Sequence, residues 1–92
     1  MAKAAFQARV YGQVQGVGYR FFVEDKAFLY GVTGYVKNLP DGSVEVYAEG
    51  EREVLEQLLA DLNQGPPAAR VTHVEVDWKL PTGKYQEFSI AF

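Results

Sequence analysis

The stretch GYVKNLPDGSVEVYAEG, Gly34 to Gly50, contains two extended runs joined by LPDG. Pro40 presets one backbone angle and Gly42 is free to take a positive one, so Pro-Asp-Gly between strand-like runs predicts a hairpin. A helical pattern lies on either side of this hairpin. Before it, YRFFVEDKAFLYG (19–31) puts Tyr19, Phe22 or Val23, Ala27 and Tyr30 at helical spacing, and Gly31 supplies the stop. Phe21, Phe28 and Leu29 widen that apolar stripe. After it, EREVLEQLLADLNQG (51–65) lines up Val54, Leu55, Leu58 and Leu62, and GPPAARV (65–71) breaks the pattern.

Beyond the helices the chain alternates again. Phe6, Ala8 and Val10 face one way and Gln7, Arg9 and Tyr11 the other, which predicts a strand with one buried face. VTHVEVDWK (71–79) does the same with Val74, Val76 and Trp78, and EFSIAF (87–92) reads as a last short strand. The order is β-α-β-β-α-β plus a terminal strand. Two strand-helix-strand units need crossovers, which are right-handed as a rule. The economical solution is an α+β, ferredoxin-like sandwich: one antiparallel sheet with two helices on one face. Because that fold hosts many functions, the function must be argued from a site.

Composition narrows the classes. The 92 residues make one domain, 1–92, and 48% are hydrophobic, enough for a core without staples. The absence of cysteine excludes disulfides, thiolate zinc sites and a cysteine nucleophile. A net charge of −3 with mixed signs suits a cytoplasmic protein and speaks against a nucleic-acid partner, which would want a basic stripe. No run approaches the ~20 apolar residues of a membrane span, and the first dozen residues do not read as a signal peptide. A monomer is the expectation at this size.

Between the first strand and first helix stands GQVQGVGYR, Gly12 to Arg20. A helix N-terminus there points unpaired N–H groups outward, and its dipole favours an anion. Gly16 and Gly18 remove side chains that would hold an anion off the backbone, and they permit the angles of a nest. Arg20 adds a planar fork of donors matched to two phosphate oxygens. The spacing fits neither a P-loop nor a dinucleotide fingerprint. Two readings stand at this point: a phosphate cradle, or a glycine turn that joins strand to helix with Arg20 solvated. A second feature favours the cradle. Asn38, at the end of the second strand, can lie close to this loop in the proposed sheet, and its amide both donates and accepts. On its own, Asn38 reads first as a turn residue capping the hairpin.

Together GQVQGVGYR and GYVKNLPDGSVEVYAEG resemble the two signatures of the acylphosphatase family, in order and separation. GPPAARV and the aromatic-ended last strand agree, and the likeness covers essentially the whole chain. Tyr19 stands where phenylalanine is common and Tyr35 where tryptophan is common. The resemblance implies a small ferredoxin-like hydrolase that cleaves the carboxyl-phosphate bond of acyl phosphates without metal or cofactor. By motif it places the phosphate-binding arginine at Arg20 and the water-positioning asparagine at Asn38. It places the backbone cradle at Gln15, Gly16, Val17, Gly18 and Tyr19.

The chemistry is consistent with these residues. The leaving carboxylate has a conjugate-acid pKa of roughly 4, so it departs as an anion and needs no general acid. What remains is to stabilise charge on the phosphoryl oxygens and to position a water. A lone histidine, His73, reads as a surface strand residue, and one histidine with no cysteine makes a transition-metal site unpromising. Glu49, Glu51 and Glu53 read as favouring the positive end of the second helix. Lys37 alternates to the face away from Asn38, and Trp78 reads as core. Gly12 and Gly34 read as sites of close backbone packing. The rival class is a binding module: either a phosphate-binding regulator without turnover, or an RNA-recognition-like domain stacking bases on Tyr11, Tyr35 and Tyr47 across the open sheet.

Overall fold

The computed structural model describes residues 2–92; Met1, the first residue of the predicted 1–92 domain, lies outside the described residues. Five strands and two helices follow in order: β1 (Lys3–Gln13), α1 (Tyr19–Tyr30), β2 (Thr33–Asn38), β3 (Val44–Glu51), α2 (Arg52–Gln64), β4 (Arg70–Lys79) and β5 (Phe88–Ile90). They form one sheet in the order β4-β1-β3-β2-β5, with α1 against β2 and β5 and α2 against β1, β3 and β4. The ferredoxin-like architecture predicted from the hairpin is the one observed.

Register explains why the core sits on one face only. Three rows cross the sheet: Trp78–Phe6–Ala48–Gly34–Phe88, Val76–Ala8–Val46–Val36–Ile90 and Val74–Val10–Val44–Asn38. All but Asn38 are apolar side chains or glycine, and apart from Val76, which is 39% exposed, their side chains share one core with Tyr19, Val23 and Ala27 of α1 and Leu55, Leu58 and Leu62 of α2. Burying these faces supplies the main driving force of folding, about 1.5–3 kcal/mol per fully buried large apolar side chain. Gly34 shows how tight the central row is. Its φ is +139°, and a Cβ built there would stand 1.9 Å from the Tyr47 carbonyl oxygen. Gly34→Ala is therefore expected to destabilise the fold by at least ~2 kcal/mol, through strain and forced strand separation. Urea denaturation reads this directly; an unchanged midpoint would contradict the close packing. Gly12 has the same constraint against Arg70.

Three expectations need correction. The sheet is mixed, because β5 pairs parallel with β2. β4 ends at Lys79, level with Ala5, and Ala5 is level with Glu49 and Glu49 with Thr33. The chain crosses the open face at that end of the sheet and enters beside the start of β2, so it can only run the same way as β2. Secondly, Phe21, Phe28 and Leu29 do not widen the buried stripe of α1: they are 64%, 88% and 72% exposed. Their side chains project opposite Val23 and Ala27, where there is no second layer.

The third correction concerns Glu49, which does not serve the start of α2; Glu53 is the one acidic residue in that first turn. Glu49 lies on the open face, 6% exposed, and anchors the crossing segment. Its carboxylate accepts hydrogen bonds from the Tyr47 hydroxyl, from the N–H and hydroxyl of Thr82 (both 2.8 Å) and from the N–H of Gly83 (3.0 Å). Burial alone raises the pKa of such a group. The hydrogen bonds outweigh burial and lower it to about 2. A depressed folded-state pKa contributes stability above the ordinary carboxylate range, and that contribution is lost as pH falls through about 2. Glu49→Gln is expected to cost ~1–3 kcal/mol at neutral pH and to flatten the acid limb of a stability–pH profile between about pH 4.5 and 2. Parallel acid limbs in the two proteins would contradict the anchor.

Tyr85 of the same segment packs on Tyr35 and Tyr47, whose rings stack 5.9 Å apart. Burial, with Glu49 beside it, pushes the Tyr47 hydroxyl up to about 12. Tyr35 and Tyr47 are thus covered by Tyr85 and bound to carboxylates, Tyr35 donating to Glu45 and Tyr47 to Glu49, while Tyr11 donates to Glu75. That is a poor platform for a polyanion. Trp78 meets Phe6 edge-on at 5.6 Å on the helix side, with the Arg52 guanidinium 3.6 Å over its ring, as befits a core margin. His73 is exposed and stacks on Tyr11 at 4.4 Å.

Candidate active site

β1 leaves the sheet at Gln13, and residues 14–18 turn the chain into α1 without regular structure. Gly16 (φ +73°) and Gly18 (φ +80°) make the two left-handed bends, and beyond their chain neighbours no heavy atom of the described residues lies within 4 Å of where their Cβ atoms would be. The space beside the loop is therefore open, and the glycines are required by backbone angle rather than by crowding. Gly18 is the N-cap of α1 and offers no side-chain cap. The first helical bond runs from the Phe22 N–H to the Gly18 carbonyl (3.0 Å). Among the described residues, no N–H from Gln15 to Gly18 donates to another backbone carbonyl, and the first turn holds no acidic side chain. The result is a run of N–H groups without a backbone partner and with no carboxylate in the first turn competing for them.

Tyr19 is buried at the base of the loop, and its hydroxyl donates to the Leu62 carbonyl at 2.7 Å, locking the first turn of α1 onto the end of α2. Burial pushes that hydroxyl well above the ordinary tyrosine range, so it remains a neutral donor. Val17 is half-buried. Arg20 follows in the first turn, half-buried, and among the described residues it makes no ion pair. Its guanidinium carbon lies 5.9 Å from the centroid of the Phe92 ring.

Asn38 ends β2, and the row Val10–Val44–Asn38 puts it at the end of the sheet where β1 hands over to the loop. By the two-residue alternation it shares the helix-covered face with Val36 and Val44, and α1, which carries Arg20, packs over β2. The guanidinium and the amide thus lie on one side of the sheet. Lys37 takes the other side, as predicted. The Asn38 Oδ1 is buried and has no hydrogen-bond partner among the described residues. A buried amide oxygen without a partner costs roughly 1–3 kcal/mol and calls for a reason. Gln15 ties loop to hairpin: its Nε2 donates to the Leu39 carbonyl (2.8 Å) and to the Ser43 carbonyl (2.9 Å). Sequence reasoning took only the Gln15 backbone for the loop, because nothing local reveals partners 24 and 28 residues away.

A groove of about 540 Å³ lies elsewhere, between α1 and β5. Glu24, Asp25 and Glu87 at its walls make it unsuited to an anion.

The acylphosphatase family model matches residues 6–90. The chain belongs to the acylphosphatase family. It is 59% identical over 76 residues to an acylphosphatase of Thermus thermophilus, spanning 83% of this chain and 86% of that one. It is 46% identical to an acylphosphatase of Pelotomaculum thermopropionicum over 92 residues, the full length of both. Its fold is similar to the crystal structure of acylphosphatase from Bacillus subtilis, with a TM-score of 0.93 and 35% identity, over 97% of this chain and 99% of that one. The resemblance read from the two motifs is borne out, and so is the acylphosphatase fold. In this acylphosphatase-family chain, no helix among the described residues is long and apolar enough to cross a membrane.

Proposed function

We propose that the protein is a hydrolase that cleaves the carboxyl-phosphate bond of acyl phosphates, and that the reaction takes place between the 15–19 loop and Asn38. The N–H groups of Gln15, Gly16, Val17, Gly18 and Tyr19 hold the phosphoryl oxygens, and Arg20 supplies a bidentate cation. Asn38 hydrogen-bonds a water in line with the bond to be broken. Water adds to phosphorus as the P–O bond to the carboxylate breaks; the carboxylate leaves with the electron pair, and the water proton passes to a phosphoryl oxygen. An amide is too weak a base to take that proton, and the leaving group needs none. Positioning and charge stabilisation then provide the catalysis, as is general for phosphoryl transfer.

The observation that carries this reading is the buried, unpartnered Oδ1 of Asn38 at the same end of the sheet as a loop of undonated N–H groups. A capping asparagine would satisfy its oxygen locally, and this one does not. Composition and size support a cytoplasmic monomer without nucleic-acid or membrane partners, and membership of the acylphosphatase family supports a small acyl phosphate substrate and a reaction without metal or cofactor.

Incubating the protein with benzoyl phosphate and a chelator separates the readings. Loss of substrate with release of phosphate is expected. Phosphate binding without turnover would instead mark a regulator, and salt-sensitive RNA binding without either would mark a binding module.

A further inference from the structure

We propose that the side chain of Gln15 is a positioning group that sets the distance between the phosphate-binding loop and Asn38, an inference that rests on the catalytic reading above. The Nε2 of Gln15 has two protons, and both go to the hairpin that carries Asn38: one to the carbonyl of Leu39, the next residue, and one to the carbonyl of Ser43. Both partners are acceptors, so the orientation of the amide is fixed without ambiguity of nitrogen and oxygen.

These bonds are not needed to close the hairpin. The Leu39 N–H already donates to the Ser43 carbonyl (2.9 Å) and the Gly42 N–H to the Leu39 carbonyl (3.1 Å). Asp41 adds bonds to the N–H and hydroxyl of Ser43. The two carbonyls would keep their backbone partners if Gln15 were truncated, so the hairpin does not depend on it. What the Gln15 amide adds is a bridge between segments. It spans the gap in which the phosphoryl group and the water are placed, and its anchor on the far side is the peptide next to Asn38. A loop rich in glycine is free to shift away from the hairpin, and a shift of about 1 Å in a reacting geometry can cost ~100-fold in rate.

The prediction is a split in the kinetic constants. Gln15→Met keeps volume and charge but removes both donors. Its kcat is expected to fall ~10- to 100-fold, while inhibition by inorganic phosphate, which reports on loop and Arg20 alone, changes less than ~3-fold. Because the bridge acts through Asn38, the same substitution placed in Asn38→Ala is expected to lower kcat by less than ~3-fold further. Gln15→Ala, which imposes no new bulk, is measured alongside, with thermal melts of each variant, so that misfolding of one does not decide the outcome. Equal losses with and without Asn38, or a loss confined to phosphate affinity, would overturn the bridge and leave the catalytic reading standing. Wild-type turnover in Asn38→Ala would overturn that reading and the bridge with it.

Discussion

Arg20→Ala is expected to lower turnover of benzoyl phosphate at least ~100- to 1,000-fold and to weaken inhibition by inorganic phosphate as well. Two features of the site make the loss large. The guanidinium stands half-buried at the positive end of α1 without an ion pair among the described residues, so no carboxylate neutralises it before an anion arrives. Its planar fork can also address two phosphoryl oxygens at once, and no other side chain in the loop carries charge. Arg20→Lys is expected to recover part of the binding and little of the turnover, because an ammonium restores charge without the fork. Steady-state kinetics with phosphate as inhibitor test both; a lysine variant with full turnover would show that charge alone suffices.

Asn38→Ala is expected to lower kcat by ~100-fold or more while leaving phosphate inhibition within ~3-fold of wild type. The contrast with Arg20 follows from their places. In the proposed scheme Asn38, at the end of β2, faces the anion-holding groups across the site and binds no phosphoryl oxygen. The substitution also removes an unpartnered buried polar atom, so it is expected to be neutral or stabilising towards unfolding. A variant that unfolds more readily and keeps its turnover would mark Asn38 as a structural cap after all.

Much of this was legible in the sequence. The alternation of Phe6, Ala8 and Val10, the Pro40-Asp41-Gly42 turn and the glycines after each helix are local signals, and each sets one element. The pairing of β2 with β3 follows from that turn. What escaped was non-local. Phe21, Phe28 and Leu29 have the same hydrophobicity as the core residues they neighbour; only the number of layers decides which face is covered. The parallel direction of β5 depends on the path of residues 80–87 over the open face, and that path depends on Glu49 meeting Thr82 and Gly83, 33 and 34 residues on. At the site the pattern was the same. Gly16, Gly18 and Arg20 stand out by residue type and spacing, Asn38 takes a site reading only beside them and through the family's second signature, and the Gln15 side chain shows itself only through carbonyls that folding brings near.

The most direct measurement is hydrolysis of an acyl phosphate in oxygen-18 water, in the presence of a chelator. Attack by water on a phosphoryl group held between the loop and Asn38 places the label in inorganic phosphate and none in the carboxylate. Label in the carboxylate would mean that water attacks the carbonyl carbon, and the account of this site would be wrong.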